Sequence, residues 1–254
     1  MSEIVLAKSP NSVYRVSFTE NSLALTPREI VQEKPLNRFD DPKQEYRVLY
    51  ASTSRPGAMV ETLQDLRPSL AALNALQRVM QNDIGYAVSE PKRSSVSDPW
   101  ILQRYSGKIV SERPLKLVDL SNQRTITALR EPLADVALRR GMTDISAASF
   151  MGSDRQFTTA ASRVLFEMAE RYDGVYFQSA LGAPYTNVGF FEDLQSDGGL
   201  RAPLALDESS RQIGRDDPDL RDALERLDLT LSDDGIELSK GSERAIDDYH
   251  EFAR

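Results

Sequence analysis

The sequence predicts an α+β fold. Segments typical of strands and of helices both occur along its 254 residues, but they do not alternate strictly, as they would in a doubly wound parallel sheet. Hydrophobic residues make up 40% of the chain and charged residues 28%, which is ordinary for a globular protein with a sizeable core. No internal repeat is visible in the sequence.

Strands are predicted where β-branched and aromatic residues are concentrated between turn-forming residues. The segment from Ser12 to Phe18 shows the clearest alternation of polar and apolar side chains. A turn at Asp173 and Gly174 precedes another strand. The predicted strands cover residues 12–18, 47–52, 114–120, 175–177 and 187–191.

Helices are predicted where apolar residues recur every three to four positions, most clearly at 157–171. Ser54 and Pro56 form a favourable start for a helix through 58–66, because serine caps helix N-termini and proline is tolerated in the first turn. Further helices are predicted at 68–80, 121–130, 131–140, 218–227 and 241–252, with long polar loops at 19–46 and 81–100.

The residue inventory excludes several kinds of chemistry. The chain has no cysteine, so disulfides, thiolate catalysis and cysteine-based metal sites are excluded. His250 is its single histidine, and we interpret it as a surface residue of a final helix. Neither common glycine-rich phosphate loop is present. We therefore expect any chemistry to rest on arginine, carboxylate, hydroxyl and tyrosine side chains, with no metal.

Charge is distributed unevenly along the chain. Residues 192–254 hold 18 acidic and 8 basic residues, whereas residues 1–191 hold 21 acidic and 23 basic residues. We therefore predict a catalytic domain at 1–191 and an acidic, mostly helical C-terminal extension at 192–254. The overall acidity disfavours direct binding to nucleic acid or to an anionic membrane. The absence of long apolar runs and of a signal-peptide pattern predicts a cytoplasmic protein.

Three local clusters contain candidate site residues. In the first, Arg38 stands beside an aromatic residue in a long loop, where its guanidinium could bind a phosphate or a carboxylate. In the second, a strand with Tyr50 turns sharply into a helix with Glu61, and such turns place side chains at the mouth of a sheet. In the third, Ser179 follows a strand.

Each candidate also has a purely structural interpretation. Arg38 could be a surface arginine, and Tyr50 could be a core aromatic. Glu61 lies about 200° around the helix from Met59, away from the apolar stripe, so it could simply be solvated. Ser179 could be an ordinary turn serine.

Taken together and in order, these segments resemble the RES domain family, which is named for its Arg, Glu and Ser. The resemblance covers most of residues 13–191, and its most specific part is the block Leu49-Tyr-Ala-Ser followed by Ala58-Met-Val-Glu61. One departure is Asn37, where the family usually has glycine before the loop arginine. The other matching segments are 13–15, 37–39, 46–50, 114–120, 172–180 and 187–191.

The resemblance implies a mixed sheet like that of ADP-ribosyltransferases, surrounded by helices. It also implies an enzyme that breaks the nicotinamide–ribose bond of NAD by hydrolysis or phosphorolysis, as the toxin of a toxin–antitoxin pair. NAD would be a substrate and no cofactor would be needed, phosphate is a possible second substrate, and an antitoxin protein is the expected partner. The implied catalytic residues are Arg38, Tyr50, Glu61 and Ser179, with Arg15 and Asn187 as further binding residues.

Two other functions remain open at this point. The chain could transfer ADP-ribose to a protein or nucleic acid instead of degrading NAD. It could also be a non-catalytic binding protein with the same fold, which Asn37 and the acidic extension would favour.

Overall fold

The structure, a computed structural model, describes residues 3–29, 37–67, 94–182, 184–195 and 199–232. Its strands in these ranges are β1 (Val13–Ser17), β2 (Val48–Ser52), β3 (Ser95–Val96), β4 (Tyr105–Ser111), β5 (Leu117–Asp119), β6 (Gly174–Gln178), β7 (Thr186–Phe191), β8 (Leu204–Leu206), β9 (Arg211–Gln212) and β10 (Thr230–Leu231). Its helices there are α1 (Arg55–Leu63), α2 (Asp98–Leu102), α3 (Gln123–Arg139), α4 (Ala147–Met151), α5 (Arg155–Glu167) and α6 (Pro218–Leu227), and a 3-10 turn, Gln64–Leu66, follows α1.

One mixed sheet organises the described part of the chain. Its strands lie in the order β5-β6-β7-β2-β1-β4-β8, and β9 also pairs with β4. Only the β5–β6 pair in this sheet is parallel, and its other pairs are antiparallel. Helices pack around this sheet, so the predicted α+β class is confirmed. A separate parallel pair joins β3 and β10.

Most strands and helices predicted from the sequence are confirmed, and the two longest elements that differ from the prediction are α3 and β4. The short elements β3, α2, α4, β8 and β9 were not predicted either. The helices predicted at 121–130 and 131–140 form one helix, α3, which continues through Pro132. Its apolar stripe of Ile126, Leu129 and Leu133 is buried on both sides of the proline, so packing outweighs the lost hydrogen bond. The helices predicted at 68–80 and 241–252, and His250 with them, lie outside the described residues.

Strand β4 lies in a segment where no strand or helix was predicted. Gly107 and Lys108 interrupt its β-forming pattern. The glycine is required there because a Cβ atom at position 107 would lie 2.4 Å from the Oγ of Ser22. The loop that contains Ser22 therefore requires a glycine in β4, and this glycine weakens the strand pattern in the sequence.

Two apolar clusters cover the same face of the main sheet. The larger cluster joins α3, α4 and α5 to the β6 and β7 strands through residues such as Leu129, Phe157 and Phe177. The other joins α1 to α6, and includes Met59 and Leu220. No helix in the described ranges is long and apolar enough to cross a bilayer.

The described part of the acidic segment belongs to this architecture. Strands β8 and β9 extend the main sheet at β4, and α6 packs directly on α1. Arg55 at the start of α1 forms ion pairs with Asp217 and Asp219. The predicted division at residue 191 therefore lies between two strands of one sheet, although it marks a real change in composition. The expected mostly helical character does not hold for residues 199–232, which contain three short strands and one helix.

Candidate active site

A cavity of about 390 Å³ lies over the sheet face between the two apolar clusters. Its floor includes Phe177, Asn187, Ser52 and Tyr14, which are paired directly across β6, β7, β2 and β1 in that order. Because neighbouring strands are about 4.8 Å apart, this row extends about 14 Å. The volume is within the range of small-molecule sites.

Five of the six residues predicted for the site line this cavity. They are Arg15, Arg38, Tyr50, Glu61 and Asn187. They come from β1, the loop before β2, β2 itself, α1 and β7, so the fold assembles them from distant parts of the chain. Ser179, the sixth, reaches the site through a hydrogen bond to Glu61.

Glu61 is positioned by the strand–turn–helix segment that the sequence predicted. The Ser54 side chain accepts a hydrogen bond from the Gly57 amide at 3.2 Å and starts α1. Met59 and Leu63 are buried in the core. The Glu61 side chain, on another side of the helix, lines the cavity instead of pointing to bulk water.

Both carboxylate oxygens of Glu61 are held by hydrogen bonds. The Ser179 hydroxyl donates to Oε1, and the Gln64 amide Nε2 donates to Oε2 at 2.8 Å. The Ser179 Oγ also accepts from the Leu181 amide at 3.0 Å, which directs the hydroxyl proton towards Glu61. Ser179 is fully buried and does not face the cavity directly. Its hydroxyl therefore acts on the site through Glu61, whose carboxylate it orients.

Tyr50 and Asp40 fix the loop that carries Arg38. The Tyr50 hydroxyl donates to Asp40 Oδ1 at 2.9 Å and accepts from the Phe39 amide at 2.8 Å. Asp40 Oδ2 accepts from the Asn37 amide at 2.7 Å and closes the turn. Burial raises the pKa of Tyr50, and the nearby Asp40 charge raises it further.

The Arg38 guanidinium lies in a partly buried position against an aromatic ring. Its Nη1 donates a long hydrogen bond of 3.4 Å to the Phe150 carbonyl, and its Cζ is 5.9 Å from the centre of the Phe177 ring. Burial lowers the pKa of Arg38 and the charge of Arg155 lowers it further, whereas Glu61 partly offsets both. Among the described residues, no carboxylate forms an ion pair with Arg38. An anionic ligand would supply the missing charge.

The two further predicted binding residues differ in how they are held. Arg15 uses Nη1 to donate to the carbonyls of Ser22 and Ala24, at 2.9 and 2.7 Å, and so ties down the loop after β1. Asn187 is 4% exposed, and its Oδ1 has no hydrogen-bond partner among the residues that the structure describes. Because buried polar atoms are normally paired, this oxygen indicates a donor on a ligand.

Three residues of the site were not identified from the sequence. Gln64 could have been found, because residues three apart on a helix lie on the same side and it follows Glu61 at that spacing. Asp40 and Arg155 gave no local signal, since each resembles an ordinary surface charge until the fold is known. No group of three or more potential metal-ligating side chains occurs within the described ranges.

Comparison with known proteins gives one family match and one structural neighbour. The sequence matches the RES domain family over residues 12–212, past the predicted boundary at 191. No curated protein matches the sequence. The crystal structure of the MbcT–MbcA toxin–antitoxin complex from M. tuberculosis is similar at 13% sequence identity and a TM-score of 0.37, covering 80% of this chain and 86% of that one.

Proposed function

The chain belongs to the RES domain family, and we propose that it breaks the nicotinamide–ribose bond of NAD as the toxin of a toxin–antitoxin pair. The observation that supports this most is the arrangement of Glu61, whose two oxygens are fixed by Ser179 and Gln64 in a cavity that also contains Arg38. A fixed carboxylate, and a guanidinium that pairs with no carboxylate of the described ranges, suit a substrate that has an electron-poor sugar and an anionic linker.

The proposed reaction proceeds through an oxocarbenium-like ribose as nicotinamide leaves. The Glu61 carboxylate stabilises this developing positive charge, and it needs no rearrangement because its oxygens are already held. Water or phosphate then bonds to the anomeric carbon. Water gives ADP-ribose and a proton, whereas phosphate gives the 1-phosphate of ADP-ribose.

The other side chains bind and orient the substrate. Arg38 donates a charge-assisted fork of hydrogen bonds to the pyrophosphate. The Tyr50 ring packs against the nicotinamide, and its anchored hydroxyl keeps the ring from rotating away. Asn187 Oδ1 accepts a hydrogen bond from the carboxamide or from a ribose hydroxyl.

Incubation of the purified protein with NAD tests the proposal. We expect release of free nicotinamide, measured by liquid chromatography, and the second product identifies water or phosphate as the acceptor. Absence of nicotinamide release with and without phosphate would contradict the proposal. Labelled ADP-ribose on a macromolecule would instead indicate a transferase, and NAD binding without release would indicate a non-catalytic protein.

The toxin role and the antitoxin partner are tested in cells. Expression of the chain is expected to lower cellular NAD and to arrest growth, and co-expression of the neighbouring reading frame is expected to restore both. Unchanged growth and unchanged NAD on expression would contradict the toxin role.

Substitution of Arg38 with glutamine is expected to raise KM for NAD about 10- to 100-fold, with a smaller change in kcat. The reason is that a hydrogen bond to a charged group contributes roughly 1.5–3 kcal/mol. Arg211→Gln, at an exposed position on β9, is the matched control and is expected to leave KM unchanged. An unaltered KM in Arg38→Gln would exclude this arginine from substrate binding.

Substitution of Gln64 with methionine is expected to lower kcat about tenfold with little change in KM. Methionine has a similar size but cannot donate to Glu61 Oε2, so the carboxylate loses one of its two supports. Gln64→Glu should in addition shift the pH–rate profile, because a second carboxylate would face Glu61. Gln123→Met, at an exposed position on α3, is the control. Equal kcat values for Gln64→Met and Gln123→Met would rule out this positioning role.

A further inference from the structure

A second arginine, Arg155, lines the cavity together with Arg38. It is the first residue of α5, and its side chain is exposed. The two guanidiniums are close enough for the charge of Arg155 to lower the pKa of Arg38. The described lining of the cavity contains three arginines but only two carboxylates, Glu61 and Asp65. These charged side chains of the described lining therefore sum to +1.

Three nearby carboxylates hydrogen-bond to other groups, although the charge of Arg155 still acts on one of them, because burial raises the pKa of Asp40 and Arg155 partly offsets this rise. Asp154, its neighbour in sequence, accepts from Arg140 Nε at 2.8 Å and from the Phe157 amide at 3.1 Å. Asp40 is held by Tyr50 and the Asn37 amide, and Glu61 by Ser179 and Gln64. Within the described residues, Arg155 forms no ion pair.

Arg38 and the backbone of Arg155 are both connected to the helix pair α4 and α5. Arg38 donates to the carbonyl of Phe150, which lies on α4, and Arg155 begins the next helix, α5. The rings of Phe150 and Phe157 pack with their centres 5.4 Å apart, which fixes α4 against α5. The Asp154 cap fixes the backbone at which Arg155 starts. The same pair of helices therefore contacts the Arg38 guanidinium and carries the backbone of Arg155.

Two nearby like charges repel each other, and an anion placed between them removes that cost. A single phosphate can be satisfied by one forked guanidinium, whereas two linked phosphates present enough acceptor oxygens for two. We propose that Arg38 and Arg155 bind the two linked phosphate groups of a dinucleotide together, so that the cavity selects substrates that contain a pyrophosphate. The inference rests on the proposed function, because it names the part of NAD that the cavity recognises.

Calorimetric titration with ADP, AMP and ADP-ribose tests the inference without catalysis. Arg155→Gln is expected to weaken ADP and ADP-ribose binding about tenfold and AMP binding much less, because AMP has a single phosphate. Arg155→Lys should give an intermediate loss, since lysine keeps the charge but not the fork. Arg124→Gln, which replaces an exposed arginine in the first turn of α3, is the control and should match the parent protein.

Equal affinity of Arg155→Gln and the parent protein for ADP would overturn the inference, as would equal losses for ADP and AMP. If Arg155→Gln does not fold, judged by its melting temperature, the Arg155→Lys comparison of ADP with AMP decides. The experiment distinguishes failure of this inference from failure of the proposed function. Nicotinamide release with an unaltered KM for NAD in Arg155→Gln leaves the function standing and removes the inference. If ADP-ribose binding depends on Arg155 but no nicotinamide is released from NAD, the inference stands and the proposed function is contradicted.

Discussion

Replacing Glu61 with glutamine is expected to lower the rate of nicotinamide release about 100- to 1000-fold, which is typical for the loss of one preorganised electrostatic group. Glutamine keeps the shape of the side chain but removes the negative charge that faces the developing ribose cation. Its amide nitrogen would also oppose either the Ser179 hydroxyl or the Gln64 amide, both of which donate to Glu61. The loss is expected in kcat, measured under saturating NAD.

The control for this substitution is Glu131→Gln, which removes a carboxylate from the exposed side of α3. We expect its kcat and KM to equal those of the parent protein. Ser179→Ala should fall between the two, because it leaves the charge of Glu61 but removes one of the bonds that orient it. Full activity in Glu61→Gln would show that this carboxylate does not take part in the chemistry.

Replacing Glu192 with alanine is expected to reduce the free energy of unfolding by about 3–5 kcal/mol, which is typical when one partner of a buried ion pair is removed. Glu192 is 2% exposed and lies directly after β7. It accepts from Arg47 Nη2 at 2.6 Å and from the Arg47 amide at 2.8 Å, and it pairs with Arg28 at 2.9 Å. Alanine would leave the mostly buried Arg47 charge without its partner.

Urea denaturation of the parent protein and of Glu192→Ala measures this loss in the free energy of unfolding. Glu208→Ala is the matched control, because Glu208 forms an exposed ion pair with Arg211 and such pairs contribute at most about 1 kcal/mol. A loss at Glu192 no greater than that at Glu208 would show that burial adds nothing to the Glu192 pairs.

The contribution of Glu192 also depends on pH. Burial alone would raise the pKa of this carboxyl, but hydrogen bonds from Arg47 and the charges of Arg47 and Arg28 outweigh burial and lower it. A carboxyl whose pKa is lower in the folded than in the unfolded protein stabilises the fold above its unfolded pKa, and this stabilisation is lost as the pH falls. We therefore expect the stability difference between the parent protein and Glu192→Ala to shrink below about pH 4.5.

Local parts of the fold could be predicted from the sequence because their causes are local. Ser54 and Pro56 start α1 through a cap and a favourable φ angle, and both are readable in the sequence. Glu61 follows on the same short segment, so its helix was predicted correctly. Helix α6 was predicted with its observed bounds, because it has an acidic cap, an early proline and a regular apolar stripe.

The features that local sequence patterns do not show depend on contacts between distant segments. The Ser179–Glu61 hydrogen bond joins residues 118 positions apart, and only the family resemblance placed them in one site. Arg155 becomes a cavity residue because α4 and α5 pack against the Arg38 loop. The unpaired oxygen of Asn187 is a property of the folded interior, which no spacing in the sequence reveals.

The floor of the cavity has a consequence for the timing of its assembly during protein synthesis. Tyr14 and Asn187, which pair through Ser52 in this floor, are 173 positions apart in the sequence, so Tyr14 is made well before Asn187. The α6 helix that supports α1 follows later still, at Pro218–Leu227. A growing chain on the ribosome therefore lacks a complete cavity floor until Asn187 has been made, and it lacks the helix that supports α1 for longer still.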